Sequence, residues 1–165
     1  MQLVPAGRAL VCKLTAVAVD GVRNDPWRLA TLVLQGGLGA HKWSDRRLLT
    51  APAGGAADVL LVEPDGTVLE AGRANVFAVV DGAILTPALD GRILPGIVRG
   101  RVLSHLANVG VDVHEGRVTL EDLAQASEVF VTNSVVGVRA VSGIDGAGNW
   151  PIGPVARRLH TAMAG

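Results

Sequence analysis

The stretch that decides the fold reads Asp58-Val59-Leu60-Leu61-Val62-Glu63, Pro64-Asp65-Gly66, Thr67-Val68-Leu69-Glu70, then Asn75-Val76-Phe77-Ala78-Val79-Val80, Asp81-Gly82 and Ala83-Ile84-Leu85-Thr86. Short apolar, β-branched runs alternate with turn chemistry. Asp81-Gly82 between two such runs is a hairpin signal, because both residues tolerate φ > 0. This part of the chain therefore predicts meandering strands.

Outward from it the period changes. Leu94-Pro95-Gly96 opens a helical pattern with Val98, Val102, Leu103 and Leu106 on one stripe, and Gly110 is placed to end it. Val111–Val113 reads as a strand. Thr119 and Asp122 resemble a capping box, with a short helix to Ala126. Glu128–Thr132 and Val138–Ile144 read as strands and Val155–Met163 as a terminal helix. On the N-terminal side, Ala9–Asp20 suits one or two strands and Asp25-Pro26 is a break. Residues 29–41 are apolar and glycine-rich, and a short helix capped by Ser44-Asp45 is expected through Leu49. Strands dominate first and then mix with helices, which predicts an α+β class.

Composition excludes several functions. The chain has 165 residues, 49% of them hydrophobic and 18% charged, which suits one domain with a real core and not a disordered chain. Lys plus Arg and Asp plus Glu number 15 each, so no net field gathers nucleic acid or an anionic membrane. With 3 Trp, 2 Phe and no Tyr there is no stacking platform for single strands. The 21 Gly and 8 Pro indicate many tight turns. No signal peptide, repeat or membrane-spanning apolar run is visible. The single cysteine, Cys12, cannot staple its own chain and indicates a reducing compartment, hence a cytoplasmic location. It reads as a buried strand residue.

Without a family in mind, chemistry is sparse. There is no G-x-S-x-G, and the four His residues lack metal-ligand spacing, so no metal site is expected. The helix start after Leu94-Pro95-Gly96 could favour an anion through its free N–H groups, or could simply start a helix. Lys42 stands in a weakly charged stretch where a neutral amine could act as nucleophile, although most lysines are merely solvated. Glu70 ends a strand, where a carboxylate usually faces solvent. His41 reads as structural; Arg46 and Arg47 read either as carboxylate binders or as surface residues, and Arg139 stays undecided.

The order of motifs adds more. Glu70-Ala71-Gly72-Arg73-Ala74-Asn75-Val76-Phe77 is followed by Asp81-Gly82, Leu85-Thr86-Pro87, Leu94-Pro95-Gly96-Ile97-Val98-Arg99, Ser127-Glu128-Val129-Phe130-Val131-Thr132-Asn133-Ser134, Ala140-Val141 and Ile144-Asp145-Gly146. From about His41 to Gly146 this resembles the class IV (fold-type IV) pyridoxal-phosphate enzymes, which include branched-chain and D-amino acid aminotransferases and aminodeoxychorismate lyase. The resemblance implies the large C-terminal domain of the D-amino acid aminotransferase-like fold, a meandering sheet or pseudobarrel with flanking helices, and pyridoxal 5'-phosphate as cofactor. It implies that Lys42 forms the Schiff base, that Glu70 holds the pyridine nitrogen protonated, and that Leu94 lies on the ring. It implies that Ile97 and Val98 offer backbone N–H groups to the phosphate, that Asn133 and Ser134 form a second phosphate loop, and that Asn75 is structural.

Two departures bear on the branch. Val98 replaces a frequent family Thr, and no Tyr follows the lysine. Lys42-Trp43-Ser44-Asp45-Arg46 and the Thr-Asn-Ser loop look more like the lyase branch, which implies 4-amino-4-deoxychorismate as substrate, 4-aminobenzoate and pyruvate as products, and a place in folate biosynthesis. An aminotransferase, a non-catalytic half that needs a partner domain, and a cofactor-free α+β binding domain are the alternatives. Only 41 residues precede Lys42, so the family's N-terminal domain is expected to be absent. Residues 1–24 are expected as an interdomain remnant and 25–165 as the cofactor domain. A homodimer acting on a small molecule is expected from the resemblance.

Overall fold

A computed structural model of the chain describes residues 2–13, 25–43, 45, 47–49 and 55–163. In chain order the elements are β1 (Gln2–Ala6), β2 (Ala9–Lys13), β3 (Trp27–Val33), a single 3₁₀ turn (Arg47–Leu49), β4 (Asp58–Val62), β5 (Thr67–Ala71), β6 (Asn75–Val80), β7 (Ala83–Pro87), α1 (Ile97–Asn108), β8 (Val113–Gly116), β9 (Val118–Thr119), α2 (Leu120–Gln125), β10 (Glu128–Asn133), β11 (Gly137–Ile144), β12 (Gly148–Asn149) and α3 (Pro154–Met163). Strands β1 and β2 form a hairpin of their own. The other ten form one sheet in the order β8-β7-β6-β10-β11-β3-β4-β5-β9, with β12 on β11. Its ends curl toward each other, since β5 also touches β6 and β7 and β9 touches β7. The result is the α+β, nearly closed pseudobarrel.

Most neighbours are antiparallel, but β11–β3, β3–β4 and β7–β8 are parallel. Strand β6 explains the architecture on its own. Val76 and Ala78 point into a core shared with Leu29, Leu60, Val129 and Val131, whereas Phe77 and Val79 point to the other face. There they meet α1 through Val98, Val102 and Leu106, and α3 through Ala156 and Leu159. Phe77 and Phe130 are cross-strand partners and stack with ring centroids 5.0 Å apart. Burial on both faces is why β6 and β10 read as continuous apolar runs and not as alternating ones. A third cluster of Leu49, Val59, Leu61, Leu69 and Ile93 lies beneath the loop that follows β3.

The turn chemistry acts as the sequence predicts. Asp81 and Gly82 have φ of 49° and 83°, the paired positive values of a tight hairpin turn. Gly110, at φ 73°, follows the α1 C-cap Val109. The Thr119 hydroxyl accepts from the Asp122 N–H at 3.1 Å while the Asp122 carboxylate accepts from the Thr119 N–H at 2.8 Å, a complete capping box. Glu128 reaches from β10 to α3. Its buried carboxylate accepts from the N–H groups of Val155 and Ala156, both at 3.1 Å, and caps the helix from a distant strand.

Three expectations are corrected and one unassigned stretch is placed. The helix from Ser44-Asp45 is only a 3₁₀ turn at Arg47–Leu49, begun by the Asp45 carboxylate accepting the Arg47 N–H at 3.1 Å; Ser44 and Arg46 lie outside the described residues. The strand placed at Val111–Val113 is Val113–Gly116, because the Val111 N–H is used by the Leu106 carbonyl to close α1. Cys12 is exposed, since the hairpin β1–β2 is separate from the large sheet. Trp27–Val33, unassigned from sequence, is a central strand between β11 and β4. Residues 14–20 of the predicted N-terminal strands are outside the described set. Among the described residues no helix is long and apolar enough to cross a membrane.

Asp58 carries a pH prediction. It is fully buried at the start of β4 and accepts from the N–H of Val59 at 2.9 Å, the N–H of Arg73 at 3.0 Å and Arg73 Nε at 3.3 Å. Burial pushes its carboxyl above the usual 3.8; the Val59 N–H and the Arg73 charge only partly oppose this. A raised carboxyl favours the protonated form in the fold. The stability it contributes is therefore full below pH 3.8 and is lost as pH rises through the folded value. The unfolding free energy of the parent chain minus that of Asp58→Asn should fall with rising pH and then level off. A difference that climbs with pH would refute the assignment.

Candidate active site

One cavity, of about 220 Å³, collects residues from five separate parts of the chain. Its walls are Lys42 with His41 and Trp43 from the loop after β3, Glu70 from the end of β5, and Asn75 from the start of β6. Leu94 through Ile97 at the start of α1 and Thr132 through Ser134 at the end of β10 complete it. Of the candidates from the sequence, Lys42, Glu70, Leu94, Ile97, Asn133 and Ser134 all line it. Val98 is the exception. Its side chain is buried in the core against α3 and Phe77 and lines a neighbouring cavity, so only its backbone N–H faces the same helix start.

Glu70 does not face solvent. It is buried, and its Oε2 accepts from the Leu94 N–H at 3.2 Å and from Asn75 Nδ2 at 3.5 Å. Asn75 Nδ2 also donates to the Leu94 carbonyl at 2.8 Å. Asn75 thus ties the carboxylate to the chain that enters α1, the structural part expected of it. Gly96 follows as a necessity: a Cβ there would lie 2.1 Å from Asn75 Oδ1. No side chain caps α1, so the free N–H groups of its first turn, at Ile97, Val98 and Arg99, make the cavity floor positive. Leu94 is half-buried beside them and contributes an apolar wall.

Lys42 is exposed at the cavity mouth on a loop that carries its own anchors. The Glu63 carboxylate accepts from the Gly36 N–H at 3.1 Å and from Arg92 Nη1 at 3.0 Å. The Arg92 carbonyl accepts from the Gly39 N–H at 3.1 Å. Hydrogen bonds to Asp90 and Glu63 hold the Arg92 guanidinium above its ordinary pKa. Gly37, at φ 64°, passes so close that a Cβ would sit 2.4 Å from the Arg92 carbonyl oxygen. Glu63→Gln should therefore loosen the lysine loop without unfolding the chain. The pair is partly exposed, so the global cost should be within about 1 kcal/mol. Amide exchange at Gly36 and Gly39 should quicken by roughly an order of magnitude. Unchanged exchange at both would show that the loop is held by something else.

The remaining candidates separate cleanly. His41 is exposed and lines the cavity. Arg47 is exposed and ion-paired with Asp45. Arg139 is buried and, with His160, lines two further cavities, one of which shares Asn133 and Ser134 with the first; burial lowers its guanidinium pKa and the charge of Asp25 opposes this. The Asn133 side-chain Oδ1 accepts from the N–H groups of Val135 at 2.9 Å and Val136 at 2.8 Å, so it shapes its own turn. Three features were missed from sequence: Gly96, the Glu63–Arg92 anchor and Thr132. Thr132 had a signal, a polar residue on the same face of β10 as Phe130. Among the described residues no cluster of three His, Cys, Asp or Glu side chains could hold a metal.

A buried carboxylate, a lysine at the rim and an open helix start on an α+β pseudobarrel define a class of protein, and comparison with known proteins names it. The model of the amino-transferase class IV family matches residues 44–144, more than half of the chain, and the chain belongs to that family. It is 37% identical over 107 residues to the aminodeoxychorismate lyase of Vibrio harveyi, covering 63% of this chain and 40% of the relative. It is 33% identical over 126 residues to the branched-chain-amino-acid aminotransferase of Pseudomonas aeruginosa, covering 75% of this chain and 41% of the relative. The branched-chain amino acid aminotransferase of T.th., solved with pyridoxamine 5'-phosphate, superposes with a TM-score of 0.75 at 30% identity, covering 88% of this chain and 53% of that one. The matched stretches span about two fifths of the two curated relatives and about half of the solved chain.

Proposed function

We propose that the chain forms the pyridoxal 5'-phosphate site of a class IV enzyme and that its reaction is the cleavage of 4-amino-4-deoxychorismate to 4-aminobenzoate and pyruvate. The carrying observation is the single cavity shared by Lys42, Glu70 and the uncapped start of α1. The residues suit a phosphorylated pyridine. The helix start offers unpaired N–H donors to a dianion, Glu70 offers a buried carboxylate to a ring nitrogen, and Thr132 leaves a buried hydroxyl without a partner in the same wall.

When bound, pyridoxal phosphate supplies an aldehyde for an amine and a ring that draws electrons from the substrate's amine-bearing carbon. Glu70, held by Leu94 and Asn75, would keep a proton on the ring nitrogen. The N–H groups of Ile97 and Val98, with Ser134, would hold the phosphate, and Leu94 would lie against the ring. Lys42 would be the amine that receives the aldehyde and would then serve as the base for the proton on the substrate's amine-bearing ring carbon. The carbon–oxygen bond to the side chain breaks, the three-carbon unit leaves as pyruvate after taking up a proton, and the six-membered ring becomes aromatic.

The lyase relative at 37% identity and the Lys42-to-Arg46 run support this branch. Aminotransfer is the second reading, supported by the aminotransferase relative whose match covers more of the chain, 75%. The exposed apolar rim of Trp43, Ile97 and Val135 supports completion of the site by further polypeptide, a partner domain or a second copy.

The test mixes purified chain with pyridoxal phosphate, reduces the yellow complex with borohydride and maps the label. Label on Lys42, followed by pyruvate and 4-aminobenzoate from 4-amino-4-deoxychorismate, is expected. Label scattered over surface amines would reject the cofactor reading. Label on Lys42 with no aromatic product, but with pyridoxamine phosphate formed from an amino acid, would select the aminotransferase.

A further inference from the structure

Thr132 is 1% exposed, and its Oγ1 is buried with no hydrogen-bond partner. A buried hydroxyl left in that state is costly, and such a group in a folded chain calls for a partner. The backbone settles where it faces. Thr132 is the cross-strand partner of Asn75, so the two side chains leave the sheet on one face. Asn75 lies against Gly96, the N-cap of α1, and Thr132 lines the same cavity as that helix start.

Neither Asn133 nor Val98 beside it offers a hydroxyl. Asn133 Oδ1 is taken by the N–H groups of Val135 and Val136, and the Val98 side chain is turned into the core, where a valine has no hydroxyl to give in any case. The geometry points to Thr132 as a further side-chain hydroxyl that donates to the phosphate held at the start of α1, alongside Ser134. This rests on the pyridoxal-phosphate reading and names a binding residue within it.

The discriminating variant is Thr132→Val, which keeps the shape and removes the hydroxyl, with Thr132→Ser as the variant that restores it. Each is titrated with pyridoxal phosphate and with pyridoxal, and each ligand-free chain is melted. For a hydrogen bond to a charged group, Thr132→Val should weaken pyridoxal phosphate by roughly 10–100-fold. Pyridoxal affinity should not change, and Thr132→Ser should stay close to the parent. The ligand-free Thr132→Val chain should melt no lower than the parent, because it has lost only an unsatisfied hydroxyl. Equal pyridoxal phosphate affinity in parent and Thr132→Val overturns the assignment while leaving the cofactor reading intact. Equal weakening of both ligands also overturns it, by moving the contact from the phosphate to the ring. A ligand-free Thr132→Val chain that melts lower with unchanged affinity would make the hydroxyl structural. A parent chain that binds neither compound, or both alike, fails at the cofactor reading itself and takes the assignment with it.

Discussion

Gly153→Ala should destabilise the chain by roughly 3–5 kcal/mol, read as a lowered midpoint in denaturant at unchanged slope. A Cβ at Gly153 would lie 1.7 Å from Cδ and 2.0 Å from Cγ of Glu128. Glu128 has nowhere to go. It is buried on β10, its Oε1 and Oε2 cap the start of α3, and α3 lays Ala156 and Leu159 on the core around Phe77 and Phe130. Moving the carboxylate gives up two charge-assisted hydrogen bonds and leaves a charge in an apolar wall. If the clash is with this side chain, Glu128→Ala must relieve it. The double variant should then be less destabilised than the two single changes added together. A cost below about 1 kcal/mol for Gly153→Ala, or simple additivity, would show that α3 is seated by its apolar face alone.

Lys42→Ala should abolish the borohydride-trapped label and leave the fold intact. Lys42 is exposed on its loop, so truncation empties no core position. Turnover should fall by more than the roughly 10²–10⁴-fold that a general base alone contributes, since the covalent role goes with it. Lys42→Arg should not rescue either property, because a guanidinium stays protonated and cannot capture an aldehyde. Wild-type labelling in Lys42→Ala would transfer the role to another amine and break the link between the loop and the chemistry. The Glu63→Gln variant adds a graded counterpart, in which Lys42 is present but its loop is less well held.

How much of this was readable in the chain follows from the range of the forces involved. Asp81-Gly82, the Thr119–Asp122 box, Gly110 and the α1 stripe act within a few residues, and the sequence alone determined them, since φ preference and capping need no distant partner. The ordered motifs from about His41 to Gly146 likewise determined the family and named Lys42, Glu70 and the start of α1. Tertiary structure decided what depends on parts far apart in sequence. The Trp27–Val33 stretch became a central strand only through parallel pairing with Gly137–Ile144 and Asp58–Val62, which no local pattern encodes. Glu70 ends a strand, where local pattern alone would leave a carboxylate facing solvent; it is a buried acceptor here because Leu94, 24 positions on, brings an N–H to it. Gly96 and Gly153 are required by Asn75 and Glu128, side chains from other strands. The Thr132 hydroxyl was assigned its face by register with Asn75, because a strand's side chains alternate and only the pairing says which side holds the cavity.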